Sequence, residues 1–76
     1  MKTHYGYRGL LSMTVEQFYE MVMFNQYHNI YVKSEASDEI IYTIKTVDDL
    51  MRCPYSHNFI KNFATDWETR FYILWV

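Results

Sequence analysis

The sequence offers few means of cross-linking the fold or placing it in a membrane. Cys53 is the only cysteine, so no disulfide can form within the chain, and there are one proline and two glycines. No apolar run approaches the ~18 residues that cross a bilayer. The basic Lys2 is not followed by the apolar stretch of a signal peptide. The sequence therefore predicts a cytoplasmic domain without a membrane segment, held together by packing alone.

Length and charge narrow the class of protein further. Seventy-six residues make one domain, and a domain of this size buries only about 60% of the surface that its unfolded chain exposes. The net charge is −2, and the seven basic residues are scattered along the chain. A sequence-independent nucleic-acid binder would carry a basic stripe, so we expect no direct contact with nucleic acid.

Aromatic residues are unusually frequent. Eight Tyr, five Phe and two Trp make up 20% of the chain, and each ring can bury roughly 150–250 Å². A single core layer cannot hide all of them, which favours an interface, where Tyr and Trp are enriched. The alternative is that individual tyrosines lie half exposed on a sheet face, where their β-propensity is high.

The clearest local signal starts a helix. Residues 1–12 are predicted to be an extended arm that could add an edge strand, and residues 13–76 to be the domain. Thr14 and Gln17 have the spacing of a capping box. An apolar face then predicts a helix from Val15 to Phe24, ending near Asn25.

Two predicted hairpins and a short helix follow. Residues 28–33 and 39–45 read as strands joined by a polar turn. Thr46 is a good N-cap for a short helix with Val47, Leu50 and Met51 on its apolar face, and Pro54 ends it.

The C-terminal third is harder to assign. Residues 58–64 fit either a strand or a helix, and the strand is favoured because it would form a second hairpin with residues 70–76. That last segment is apolar on both faces, as is typical of a central strand, and no other segment is predicted to cover its second side. The sequence thus predicts an α+β domain of about four antiparallel strands in two hairpins, with the main helix on one face.

No residue pattern points to chemistry. Cys53 and His57 stand four residues apart, but zinc sites need four nitrogen or sulfur ligands. Cys53 ends a short helix, whereas an activated cysteine lies at a helix N-terminus or beside a base. We therefore predict no metal, no cofactor and no catalytic residue: the domain is non-enzymatic.

The acidic residues form two groups, one in the first hairpin turn and one at the start of the short helix. If both lie on one side, they make an acidic patch edged by tyrosines that could engage a basic surface. The alternative is that these acids only keep a small protein soluble. The predicted partner-binding residues are Tyr31, Tyr42 and Trp67 as anchors, with Glu35, Asp38, Glu39, Asp48 and Asp49 supplying charge.

The order of segments resembles a group of known proteins. The phrases are Met13-Thr14-Val15-Glu16-Gln17-Phe18, Thr46-Val47-Asp48-Asp49-Leu50 and Tyr72-Ile73-Leu74-Trp75-Val76, with a hairpin after the first. Over residues 13–76 the chain is similar to small accessory proteins of phages and mobile elements of Gram-positive bacteria, some of which are anti-CRISPR inhibitors of Cas9-type nucleases. The resemblance implies an inhibitor that binds a host protein by steric occlusion. The alternative is a structural homo-oligomer, for example a homodimer, that buries the apolar last strand.

Overall fold

The computed structural model describes residues 12–23, 29–66 and 68–76, and the backbone of residues 3–5. Its elements in chain order are β1 (Thr3–Tyr5), α1 (Val15–Val22), β2 (Ile30–Lys33), β3 (Ile40–Ile44), α2 (Val47–Arg52), β4 (Asn62–Asp66) and β5 (Phe71–Trp75). Within these ranges neither helix has the length and hydropathy required to cross a membrane.

The strands form one mixed sheet in the order β1-β4-β5-β2-β3. The α+β class and the two antiparallel hairpins, β2–β3 and β4–β5, are confirmed. The expectation of a fully antiparallel sheet is wrong, because β2 and β5 pair in parallel, from Ile30 beside Tyr72 to Lys33 beside Trp75. The physical reason is that β5, the strand with the fewest polar side chains, takes the centre of the sheet. It therefore pairs with β2 on one side as well as with its hairpin partner β4 on the other.

The short strand β1 lies at the sheet edge next to β4, with Thr3 opposite Thr65. This is the edge position that the N-terminal arm could take. Residues 1, 2 and 6–11 of that predicted arm lie outside the described residues.

Helix α1 begins where the sequence predicts. The Gln17 backbone N–H donates to Thr14 Oγ1 (3.2 Å), and the Thr14 N–H donates to Gln17 Oε1 (2.9 Å), which completes the capping box. The helix ends at Val22 with Met23 as its C-cap, earlier than the predicted Phe24 and Asn25, which lie outside the described residues.

Removing the cap has a predictable cost. Thr14→Ala leaves the N–H group of Gln17 without its acceptor, and we expect the free energy of unfolding to fall by about 1 kcal/mol. Urea denaturation followed by circular dichroism measures the change. Thr14→Ser is the matched control, because its hydroxyl can still accept; equal losses in both variants would show that the cap hydroxyl is not what stabilises α1.

The start of α1 is also tied to the segment before β4. The Val15 N–H donates to Asn58 O (3.1 Å) and the Ile60 N–H donates to Met13 O (2.9 Å), with an isolated bridge between Thr14 and Phe59. The strand interpretation for residues 58–64 is therefore right in kind, but the strand itself starts only at Asn62. The residues before Asn62 instead form backbone hydrogen bonds with the beginning of α1.

The core lies on both sides of the sheet. On the helix side Phe18 packs against Phe63 and Tyr72, with ring centroids 5.8 and 5.3 Å apart. On the far side Ile73 and Trp75 are also buried, so the second face of β5 is not left open as predicted. The neighbouring large rings help to cover it, since Tyr31 stacks on Phe71 at 4.2 Å.

Candidate functional site

The acidic residues of the first hairpin turn differ in the hydrogen bonds and ion pairs that they form. Asp38 Oδ1 accepts a hydrogen bond from Trp75 Nε1 (2.7 Å) and lies 3.9 Å from Lys33 Nζ, so this carboxylate is engaged within the fold. Glu35 is exposed and forms an ion pair with Lys61 at 3.8 Å, a kind of contact that contributes little stability. Glu39 is exposed. All three carboxylates are exposed, but Glu39 takes no part in either of these ion pairs.

The acids at the start of α2 divide in the same way. Asp48 is exposed, whereas Asp49 Oδ2 accepts hydrogen bonds from the backbone N–H groups of Lys45 (2.9 Å) and Thr46 (3.1 Å). The Lys45 N–H is the main cause of a pKa lowered from the ordinary 3.8 for Asp49, and the Thr46 hydrogen bonds add to it against partial burial. Asp49 is therefore a capping residue.

The Asp49 carboxylate is expected to make the stability of the fold depend on pH in acid. The folded state lowers the pKa of Asp49, so its ionised carboxylate stabilises the fold. This stabilisation is fully present above the pKa of Asp49 in the unfolded chain and is lost as pH falls through its pKa in the folded chain. We expect Asp49→Asn to be less stable than the wild type at pH 7 and the gap to close in acid below about pH 4. Urea unfolding of both proteins between pH 7 and pH 2 tests this; a gap that stays constant would contradict it.

The two acidic groups do not form one patch. The hairpin turn and the start of α2 lie at opposite ends of β3, whose five residues span about 16 Å. The predicted single patch would need both groups on one side and close together. The structure instead leaves Glu35 and Glu39 at one end of the strand and Asp48 at the other.

The predicted aromatic anchors are also separated. Tyr31 pairs with Thr43, and Tyr42 pairs with Val32, so the two tyrosines point to opposite faces of the sheet. The Tyr42 hydroxyl donates to Asp49 O (2.7 Å) on the helix side, where the ring packs against the core. Tyr31 lies on the far side in its stack with Phe71. Trp67 lies outside the described residues.

Cys53 and His57 do not combine into a reactive pair. Cys53 is buried, and desolvation raises the pKa of its thiol, so the protonated form dominates at neutral pH. His57 is exposed in the turn that follows. Among the described residues, no group of three or more His, Cys, Asp or Glu could hold a metal ion.

A groove between α1 and α2 is the feature that sequence reasoning missed. Its volume is about 200 Å³, and its lining combines apolar and acidic side chains: Glu16, Tyr19, Glu20, Met23, Val47 and Leu50. Tyr19 and Leu50 are buried and form its floor, while Met23 and Val47 remain 37% and 48% exposed. None of these lining residues is basic.

The sequence contained the separate parts of this groove but nothing that joined them. Glu16 and Glu20 stand four residues apart on α1, and Val47 begins the apolar face assigned to α2. In the structure only Leu50 of that face is buried, while Val47 and Met51 stay exposed.

Comparisons with protein-family models, with curated proteins and with solved structures find no match. The candidate site is therefore defined by its own geometry: an apolar floor, exposed apolar side chains at the mouth, and carboxylates along one wall.

Proposed function

We propose that this chain is a non-enzymatic protein-binding domain that docks through the groove between α1 and α2 onto a basic, partly apolar surface. The supporting observation is that the groove joins exposed Met23 and Val47 to Glu16 and Glu20 with no basic side chain in its lining. Interfaces combine an apolar centre with a polar rim, and complementary charge guides the encounter of the partners.

The free chain carries features that are unfavourable without a partner. Like charges at i and i+4, as in Glu16 and Glu20, destabilise a helix by about 0.2–0.5 kcal/mol. Neither carboxylate forms an ion pair with a described residue. The exposed Met23 and Val47 likewise forgo the gain of burial, which is about 25 cal/mol per Å². A partner that supplies cations and apolar atoms would remove both penalties.

The partner in this proposal is a host protein, and the resemblance to phage and mobile-element proteins suggests a CRISPR effector nuclease in the host cytoplasm. A nuclease that holds nucleic acid offers a strongly basic groove, which suits an acidic contact surface. Binding there would inhibit the enzyme by steric occlusion. Asp48, next to Val47 in the sequence, is exposed and adds to the negative charge of α2.

Two charge-neutral double variants test the proposal. Glu16→Gln with Glu20→Gln removes the acids of the groove, and Glu35→Gln with Glu39→Gln is the matched control at the hairpin turn. Each tagged protein is used to retain a guide-loaded Cas9-type nuclease, and separately to capture proteins from bacterial lysate, over a salt series. DNA cleavage by the nuclease is measured in parallel.

We expect the wild type and the hairpin control to retain the nuclease and reduce cleavage, and the groove variant to do neither. Failure of the wild type to bind this nuclease would overturn the choice of effector. Capture of a partner by the groove variant as well as by the wild type would overturn the assignment of the groove.

A structural homo-oligomer is the second candidate, and one observation favours it. Strand β3 is at the sheet edge among the described strands, carries no charged residue, and has Ile40 more than half exposed. Exposed uncharged edges can pair with a second copy. However, the register shift between Val32 and Lys33 leaves Ile41 of β3 unpaired, which marks a bulge in this edge strand, and bulges disfavour edge pairing. Light scattering that shows a monomer at all concentrations would remove this candidate.

A further inference from the structure

We infer that the groove between α1 and α2 receives one arginine side chain of the partner protein. Its guanidinium group would lie between Glu16 and Glu20, and its methylene stem on the apolar floor of the groove. This inference rests on the proposed function and names the chemical group that the site recognises. It is carried by the small volume of the groove, by the mixture of side chains that line it and by the spacing of its two carboxylates.

The volume of the groove suits a single side chain. At about 200 Å³ it lies below the roughly 300–1,000 Å³ that is usual for sites of small organic ligands. A side chain that projects from a folded partner needs less space than a free ligand, because the rest of the partner stays outside the groove. We therefore expect the groove to take up one side chain while the surrounding surfaces supply the remaining contact.

Acidic and apolar lining residues are neighbours on one face of α1. Glu16 is followed by Tyr19 and Glu20, and these by Met23, at spacings of three and four residues. Side chains at such spacings have Cβ atoms about 5–6 Å apart on a helix. Each carboxylate therefore lies beside an apolar side chain, and two apolar residues of α2 line the same space. An occupant has to provide positive charge and apolar contact within the length of one side chain.

Only two kinds of side chain combine an apolar stem with a permanent cation, namely lysine and arginine. Arginine fits this groove better, because its planar guanidinium presents five N–H donors and can donate to two carboxylates at once. The ammonium of lysine is a compact, strongly hydrated charge, whereas guanidinium is more weakly hydrated. Placing guanidinium beside the apolar Met23 and Val47 therefore costs less hydration.

The two carboxylates also have an electrostatic reason to share one cation. Like charges four residues apart on a helix repel each other, and a guanidinium between Glu16 and Glu20 would replace that repulsion by two attractive contacts. Glu16 is half-buried, so a cation beside it is less screened by water and salt than one at a fully exposed carboxylate. None of the residues that line the groove supplies a cation from within the chain.

The experiment uses short capped peptides of glycine and serine with one central side chain as the probe. The first carries arginine, and the second carries citrulline, whose urea group has the shape of guanidinium without its charge. The third carries lysine, and the fourth carries an arginine analogue whose guanidinium is attached through a single methylene. Each is titrated into the ¹⁵N-labelled full chain at constant ionic strength, and amide chemical shifts give the site and the affinity.

We expect the arginine peptide to bind and to shift the amides of α1 and of residues 47–50. The citrulline peptide should bind roughly 3- to 10-fold more weakly, as expected for the loss of two exposed charge pairs. The peptide with the shortened stem should lose at least about threefold, because it buries fewer methylene groups. The lysine peptide should bind more weakly than the arginine peptide.

Two double variants locate the site. Glu16→Gln with Glu20→Gln should weaken binding of the arginine peptide roughly 3- to 10-fold, and should bring it level with the citrulline peptide. Glu35→Gln with Glu39→Gln should stay within about twofold of the wild type, since a distant exposed charge is screened. Far-UV circular dichroism checks that both double variants are folded.

Equal binding of the citrulline peptide or of the short-stem peptide would overturn the arginine site, and neither comparison needs a variant of the protein. Lysine binding as tightly as arginine would overturn the choice of arginine. Shifts confined to the hairpin turn would overturn the groove as the place of binding. If the groove variant loses the partner protein but the arginine peptide does not bind, the proposed function stands and the arginine site is wrong. If the peptide binds in the groove while the groove variant retains the partner, the arginine site stands and the proposed function is wrong.

Discussion

Replacing Phe18 by alanine is expected to remove about 3–5 kcal/mol of stability. The Phe18 side chain is 1% exposed and contacts the rings of Phe63 and Tyr72, so the variant loses both the burial and the aromatic contacts. A chain of this length has only about 4–11 kcal/mol in total, at 0.05–0.15 kcal/mol per residue. The substitution would therefore remove from about a quarter to all of the stability of the domain.

Urea denaturation and thermal unfolding, both followed by circular dichroism, measure this effect. Met51→Ala on α2 is the matched control, because it also truncates a large apolar side chain but at a site that is 79% exposed. We expect that variant to stay within about 0.5 kcal/mol of the wild type. Similar losses in both variants would contradict the arrangement in which α1 packs its Phe18 face onto the sheet.

Local signals allowed much of this fold to be predicted. The capping box at Thr14 and Gln17 involves groups only three residues apart, and the first turn of α1 forms there as expected. Thr46 and Asp49 form a second capping box at the start of α2 in the same way. Both hairpins also follow from short-range patterns, since each joins strands that are neighbours in the sequence. In each case the deciding contacts lie close together along the chain.

The features of the fold that could not be predicted depend on pairing between distant segments of the chain. The parallel pairing of β2 with β5 joins segments about 40 residues apart, and no local pattern encodes it. The pairing register decides which residues of two strands share a face, and the bulge at Ile41 changes that register within β3. The sequence did not show this register, and Tyr31 and Tyr42 were expected to edge one patch. Because Tyr42 pairs with Val32, the neighbour of Tyr31, the two tyrosines lie on opposite sides of the sheet.

The groove was missed for the same reason. Its two walls come from α1 and α2, which are separated by the whole first hairpin. Glu16 and Glu20 both belong to α1, and the fold brings Val47 and Leu50 of α2 to the same groove. A candidate binding surface built from two distant helices depends on the tertiary arrangement, whereas each helix by itself looks ordinary.

Asp38→Ala is expected to cost about 2–4 kcal/mol, far more than an ordinary exposed substitution. The Trp75 indole N–H would lose its charged acceptor at 2.7 Å, and hydrogen bonds to charged groups contribute about 1.5–3 kcal/mol. Asp38 also has a φ of 58°, in the left-handed region that aspartate tolerates better than alanine. The substitution therefore acts on the side chain and on the backbone together.

Two further variants separate these contributions. Asp38→Asn keeps an acceptor for Trp75 and tolerates the left-handed backbone, so we expect it to lose less than half as much stability as Asp38→Ala. Asp38→Gly removes the acceptor but relieves the backbone, and it should fall between the two. Urea unfolding with Trp fluorescence as the signal measures all three. If Asp38→Ala were as stable as the wild type, Asp38 would have no structural role and would return to the set of acids that are free to bind a partner.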